Sequence, residues 1–197
     1  MGKVDFAWRR GVVVGMLGGM ATVVEKVCLW VAQGFGVGRL PYAPGTWGAV
    51  LGVLWCMALM AGGNFWVYLA GVIMSCAASV WLCGRAEVIL GETDPGSVVL
   101  DEMIAMPICL LPFVAAAWWR NGVMPGPGSL FEKNGPWIGF TLFVLFRLFD
   151  ILKPWPVKQS QALPGGWGIT ADDVLAAIYT AAAAWLILRL FGRHTLG

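Results

Sequence analysis

Asp94, Asp101, Glu102, Asp150, Asp172 and Asp173 make up six of the eleven acidic residues of this chain, and all six stand beside strongly apolar runs. Ionisable groups next to membrane segments are costly to keep, so such residues are functional candidates by default. Arg147, Asp150 and Lys153 are spaced three apart and share a helix face. Two glycine-containing stretches, Gly34 to Gly38 and Leu40 to Thr46, precede the first long apolar run. Carboxylates without histidine or cysteine partners form a hard oxygen donor set that suits Mg²⁺ or Mn²⁺. Arginine and lysine suit phosphate oxygens. This combination describes a divalent-metal phosphate site on a membrane scaffold.

Each group also has a purely structural explanation. Asp94 could cap a helix with Pro95 at its first position, leaving Asp101 and Glu102 as a solvated helix end. Adjacent on a helix, those two side chains point about 100° apart, so both or only one could hold an ion. Arg147, Asp150 and Lys153 could form an intrahelical salt bridge, with the lysine favoured near the C-terminus. Thr170 followed by Asp173 resembles a capping box at a helix start. Pro44-Gly45-Thr46 similarly opens a helix, whose free N–H groups could receive an anion. It is the convergence of these signals that favours a site.

The elements that must position them are apolar helices. Of 197 residues, 59% are hydrophobic and 12% charged, and the mean hydropathy is +0.76; a soluble domain is about 25% charged. No charge occurs between Arg39 and Arg85, a run too long for one crossing of about 20 residues. Gly62-Gly63-Asn64 divides it into a hairpin of helices near Thr46–Ala61 and Phe65–Cys83. Further helices are expected near Met103–Trp119, Trp137–Lys153 and Asp172–Leu190, with a loop from Asn121 to Pro136 and with Pro154 and Pro156 ending the fourth. The shorter run Gly11–Val24 suits an interfacial helix better than a crossing or a cleaved signal peptide. The predicted fold is an all-α, compact polytopic bundle with four to five membrane-embedded helices.

In this layout two crossings separate Thr46 from Asp101 and two more separate Asp101 from Asp150. All the polar motifs therefore fall on one membrane face. Arg39, Arg85, Arg147, Lys153 and Lys158 lie there too, with Arg120 and Lys133 opposite. The positive-inside rule makes the motif face cytoplasmic.

Other chemistry is disfavoured. The five cysteines include no C-x-x-C pair and fall mostly in apolar runs, so they read as small buried hydrophobes. None is followed six residues later by an arginine, which removes the thiol-phosphatase loop. The single histidine, His194, is in the tail. A net charge of +2 gives no footing for nucleic acid.

At the strings GFGVGRLPYAPGTWGA (34–49), DPGSVVLDEMIAM (94–106), FRLFDILKPWPV (146–157) and GGWGITADDVLAA (165–177) the chain closely resembles the bacterial phosphatidylglycerophosphatase A family. They follow the family's order and spacing from Gly34 to Ala177, so residues 34–197 are expected to form the family's membrane domain and 1–33 an N-terminal extension. Departures are mild: Ala49, Ala105 and Ala177 replace common Ser or Gly, and Thr170 a common Met.

The resemblance implies an inner-membrane, Mg²⁺-dependent phosphatase that converts phosphatidylglycerophosphate to phosphatidylglycerol and phosphate. The family's polar positions fall on Thr46, Asp94, Asp101, Glu102, Arg147, Asp150, Lys153, Asp172 and Asp173. Asp101, Glu102, Asp150, Asp172 and Asp173 are the candidate catalytic residues and, with Asp94, the candidate metal positions; Thr46, Arg147 and Lys153 are the candidate phosphate-binding residues. Expected partners are the phospholipid substrate and the bilayer. Trp47, Trp155 and Trp167 flank the motifs at headgroup level. The rivals are a phosphatase for another lipid phosphate, and a cation transporter using the same carboxylates.

Overall fold

The computed structural model describes residues 22–132 and 134–191. Residues 11–21 of the expected interfacial helix, Lys133 and His194 lie outside them. The order is α1 (Val23–Ala32), a 3₁₀ segment Gly34–Arg39, α2 (Pro44–Met60), α3 (Phe65–Leu90), α4 (Leu100–Asn121), a 3₁₀ turn Pro127–Leu130, α5 (Gly135–Leu152), α6 (Val157–Ser160) and α7 (Gly166–Phe191). The expected all-α bundle is borne out, with no strand among the described residues. α3, α4, α5 and α7 are long and apolar enough to cross a bilayer. α2, with 17 residues, extends about 25 Å, slightly short of a hydrocarbon core of about 30 Å.

The turns form where the sequence places them. Asn64 Oδ1 accepts from the N–H groups of Trp66 and Val67 at 2.8 and 3.3 Å and caps α3 after the Gly62-Gly63 turn. Thr22 and Glu25 form a reciprocal capping box on α1. α3 runs seven residues past its expected end at Cys83, carrying Arg85 and Glu87 before Gly91 closes it in a left-handed conformation.

α4 is the central helix, packed against α2, α3, α5 and α7. Lipid tails are as apolar as the side chains they replace, so close packing drives helix association here. α2 meets α4 through Gly45, Gly48, Ala49 and Gly52, all buried and spaced at helical intervals. A Cβ on Gly52 would lie 2.6 Å from the Met103 carbonyl oxygen. Pro107 has no N–H to offer that carbonyl within α4, and the bare glycine surface packs over it. Tyr68 of α3 donates its hydroxyl to the Pro107 carbonyl at 2.8 Å. The buried face of α7 is equally small: Ala176, Ala177, Ala181 and Ala184. Cys56, Cys83 and Cys109 are buried within this packing as free thiols.

One expected helix start is corrected, and the capping alternative at Asp94 is set aside. α7 begins at Gly166, so Thr170 sits inside the helix, buried, with its hydroxyl 3.0 Å from that of Ser79 on α3. It is not a cap. The cause is close packing: a Cβ on Gly166 would strike the Val80 carbonyl, and Gly84 faces Gly166 across the same contact. These glycines let a further turn of helix dock on α3. Likewise α4 begins at Leu100, and Asp94 lies in the preceding turn at φ 50° and caps nothing. Pro95 is buried there and its carbonyl accepts from Val98 N–H at 2.8 Å, which makes a separate turn.

Candidate active site

The N-terminal ends of α2, α4 and α7 meet the C-terminal ends of α3 and α5 at one end of the bundle. Asp101, Glu102, Asp150, Asp172 and Asp173 lie within these helix ends, and Asp94 lies in the turn before α4. Asp101 and Glu102 occupy the first turn of α4, where the helix dipole favours negative charge. Asp173 comes from the second turn of α7. One carboxylate oxygen from each of Asp101, Glu102 and Asp173 lies within 4.8 Å of the others. Asp101 is 7% exposed and Asp173 3%. Asp101 Oδ1 and Glu102 Oε2 are buried acceptors without a hydrogen-bond partner. Unsatisfied buried acceptors are rare and call for an explanation such as an ion.

The remaining charges surround this group in pairs. Arg147 Nη1 lies 2.7 Å from Asp150 Oδ2 and 3.8 Å from Glu102 Oε1. Arg147 Nε is buried with no partner, so the guanidinium keeps a donor in reserve. The intrahelical pair is real for Arg147 and Asp150, but Lys153 leaves their shared face. It closes α5 in the left-handed region at φ 42° and donates from Nζ to Asp172 Oδ2 at 2.6 Å. Gln161 Nε2 donates to the same oxygen at 3.0 Å, and Asp172 Oδ1 accepts from Asp173 N–H at 3.0 Å. Both oxygens of Asp172 are therefore engaged by protein donors. Burial opposes the Lys153 ammonium, but the Asp172 hydrogen bond and the charges of Asp172, Asp150 and Asp173 lift its pKa above the usual lysine value.

Two other sequence-predicted residues lie at the edge. Thr46 is half-buried in the first turn of α2, and its N–H already bonds the Ala43 carbonyl at 2.9 Å. Asp94 is exposed at the rim and outside the three-carboxylate group, although its charge acts on Asp101 and Asp172. α2 comes close enough for this only because of glycine: a Cβ on Gly45 would run into Glu102 Oε1 and lie 3.0 Å from Arg147 Nη1. Ala43, Asp94 and Lys153, all non-glycine residues at positive φ, sit at the turns that deliver these motifs. Such strain clusters at functional sites. Gln161 was not foreseen; a polar residue in a connecting segment, before Pro164-Gly165, carries no motif of its own.

Five carboxylates (Asp101, Glu102, Asp150, Asp172 and Asp173) face two cations, Arg147 and Lys153. A buried excess of negative charge is costly unless it is compensated. The donor set, all oxygen with two orphaned acceptors, fits a hard divalent cation.

Comparison with known proteins identifies the family. Residues 30–188 match the family described as phosphatidylglycerophosphatase A. A Bacteroides thetaiotaomicron protein that bears the provisional name phosphatidylinositol-3-phosphatase is 34% identical over 80% of this chain and 93% of its own. A phosphatidylglycerophosphatase A of Haemophilus influenzae is 33% identical over 80% of this chain and 86% of its own. One from Escherichia coli is 31% identical over 83% of each. No solved structure matches the chain. The family match takes in α2 to α7 up to Leu188, and with it every carboxylate and cation of the site, so the chain belongs to the phosphatidylglycerophosphatase A family of lipid phosphatases.

Proposed function

We propose that the protein hydrolyses the terminal phosphate monoester of phosphatidylglycerophosphate, releasing phosphatidylglycerol and phosphate, with Mg²⁺ or Mn²⁺ held by Asp101, Glu102 and Asp173. The observation that carries this reading is the convergence of those three carboxylates, two of them with orphaned buried oxygens, beside Arg147 and Lys153. A bound divalent ion supplies a Lewis acid for phosphoryl oxygens and makes water more acidic. The chain's own residues do the rest. Arg147 Nε is free to donate to a phosphoryl oxygen while Asp150 fixes the guanidinium. Lys153, held charged by Asp172, adds a second positive group where charge develops on the transferring phosphoryl. Water attacks phosphorus, the bond to the headgroup alcohol breaks, and the alcohol leaves with a proton. Asp150 and Asp172 are engaged by basic residues, which favours direct water attack over an aspartyl-phosphate at either.

The site's position at the end of the bundle suits a lipid whose acyl chains remain in the bilayer. Trp47, Trp155 and Trp167 are 48%, 75% and 62% exposed beside it, as headgroup-level anchors should be. Arg39, Arg85, Lys153 and Lys158 belong to this end and Arg120 to the other, which supports a cytoplasmic active site in a bacterial inner membrane. Ion transport is less well supported, because stretches 103–119, 136–146 and 174–188 below the site contain no Asp, Glu, Lys, Arg or His to relay a cation.

The test is phosphate release by purified protein from phosphatidylglycerophosphate, phosphatidylinositol 3-phosphate, phosphatidic acid and a polyprenyl diphosphate. Preference for the first supports the assignment. Preference for the second keeps the chemistry and moves the protein to the inositol lipid that its Bacteroides relative's name describes. No release from any of them contradicts the reading.

A further inference from the structure

Beside the carboxylates, a cavity of about 260 Å³ opens between the C-terminal turn of α3, the turn before α4 and the segment that leads into α7. Its polar lining is Glu87, Thr93, Asp94 and Gln161, and Leu163 and Ile169 supply apolar wall. Gln161 joins it to the site, since its Nε2 donates to Asp172, the residue that holds Lys153. Nothing in the proposed chemistry uses Glu87 or Thr93.

The lining limits the ligand. It includes no Lys or Arg, so a second phosphate has nothing to pair with, and two carboxylates would repel it. Carboxylates, a threonine hydroxyl and an amide oxygen all accept hydrogen bonds, which suits an uncharged group bearing hydroxyls. Pockets for drug-sized ligands span about 300–1,000 Å³, so this one holds a headgroup fragment and not an acyl chain. Glu87 is further placed at the cavity wall by Gly165, whose absent side chain leaves its Cβ position 3.5 Å from Glu87 Oε2.

We propose that this cavity binds the hydroxylated, uncharged part of the lipid headgroup, with Glu87 and Thr93 as the residues that read its free hydroxyl. The inference rests on the lipid phosphatase reading of the neighbouring site. Its consequence is selectivity between phosphate monoesters whose reacting bonds are alike and whose headgroups differ in a hydroxyl. A site built to hydrogen-bond a substrate hydroxyl discriminates strongly against the analogue that lacks it.

The experiment compares phosphatidylglycerophosphate with the analogue whose headgroup is 1,3-propanediol phosphate, identical except for the missing central hydroxyl. The parent protein should favour the hydroxylated lipid in kcat/KM by about tenfold or more, the worth of a hydrogen bond to a charged group. Glu87→Gln and Thr93→Val should each narrow that ratio, mainly through KM, and their effects should not add if both contact the same hydroxyl. Equal turnover of both lipids by the parent overturns the cavity assignment and leaves the phosphatase reading intact. An unchanged ratio in both folded variants also overturns it. Failure of the parent to hydrolyse either lipid removes the phosphatase reading itself, and the cavity assignment with it.

Discussion

Asp172 and Asp173 are neighbours in sequence, yet the fold gives them different surroundings. Asp172 spends both oxygens on Lys153, Gln161 and a backbone N–H, whereas Asp173 turns toward Asp101 and Glu102. Asp101→Asn, Glu102→Gln and Asp173→Asn each keep the shape of the side chain and remove a charge. Turnover should fall roughly a hundredfold or more, because hard cations need charged oxygen donors. Thermal stability in detergent should hold or rise, since each change relieves repulsion among buried carboxylates. Asp172→Asn should behave differently. It leaves Lys153 without its charged partner, so the expected loss is chiefly in KM for the lipid phosphate, with a smaller change in apparent metal affinity. Steady-state kinetics across a Mg²⁺ titration separates the two patterns; identical behaviour of the Asp172 and Asp173 variants contradicts the division of roles. The sequence was enough to nominate the four carboxylates and Lys153, though not Gln161, because charge beside apolar runs is conspicuous. It could not divide the pair, because side chains one residue apart on a helix diverge by about 100° and only packing decides which one points inward.

Helix ends were the least legible elements, for a physical reason. Thr170-Ala171-Asp172-Asp173 has the local chemistry of a helix start, but α7 begins at Gly166 because glycines let it lie against α3. Tertiary contact outweighed a local capping preference. The capping alternative at Asp94-Pro95 fails in the same way, its turn being set by buried Pro95. By contrast the Gly62-Gly63-Asn64 hairpin and the end of α5 before Pro154 were readable, since turn and proline effects are local. The glycine contacts can be tested by adding one methyl group. At Gly166 the methyl meets rigid backbone, the Val80 carbonyl. Gly166→Ala should lower stability by about 1–3 kcal/mol as measured by thermal or denaturant unfolding in detergent. At Gly45 it meets the mobile end of Glu102 and the Arg147 guanidinium. Gly45→Ala should therefore displace Glu102 and Arg147, lowering kcat more than stability if the proposed site is correct. Gly139→Ala, inside α5 with open space around its Cβ position, is the control and should leave activity unchanged and stability equal or slightly higher. Loss of stability at Gly45 with normal specific activity would contradict the placement of Glu102.

For the molecule as a whole, long apolar helices point to the membrane, and the proposed orientation follows from the basic residues at the polar end. Four helices long and apolar enough to span, with the shorter α2, gather their carboxylates at one end, around a centre formed by α4 and α7, and carry Arg120 and Arg189 at the other. The protein should remain with membranes through high-salt and alkaline washes. Single cysteines introduced near Arg85 and Lys158, in a background without the native five, should be labelled only from the cytoplasmic side, and one near Val123 only from outside. Labelling of the first two from outside intact cells would reverse the assigned orientation.

The most direct test of the account is metal-dependent release of phosphate from phosphatidylglycerophosphate by the purified protein, followed through chelation and restoration. EDTA should abolish release, and Mg²⁺ or Mn²⁺ added in excess should restore it in the parent, while Asp173→Asn stays inactive at the same metal concentration. Full turnover in a chelated, metal-free sample, or parent-like turnover by folded Asp173→Asn, would contradict a divalent-cation site built from Asp101, Glu102 and Asp173.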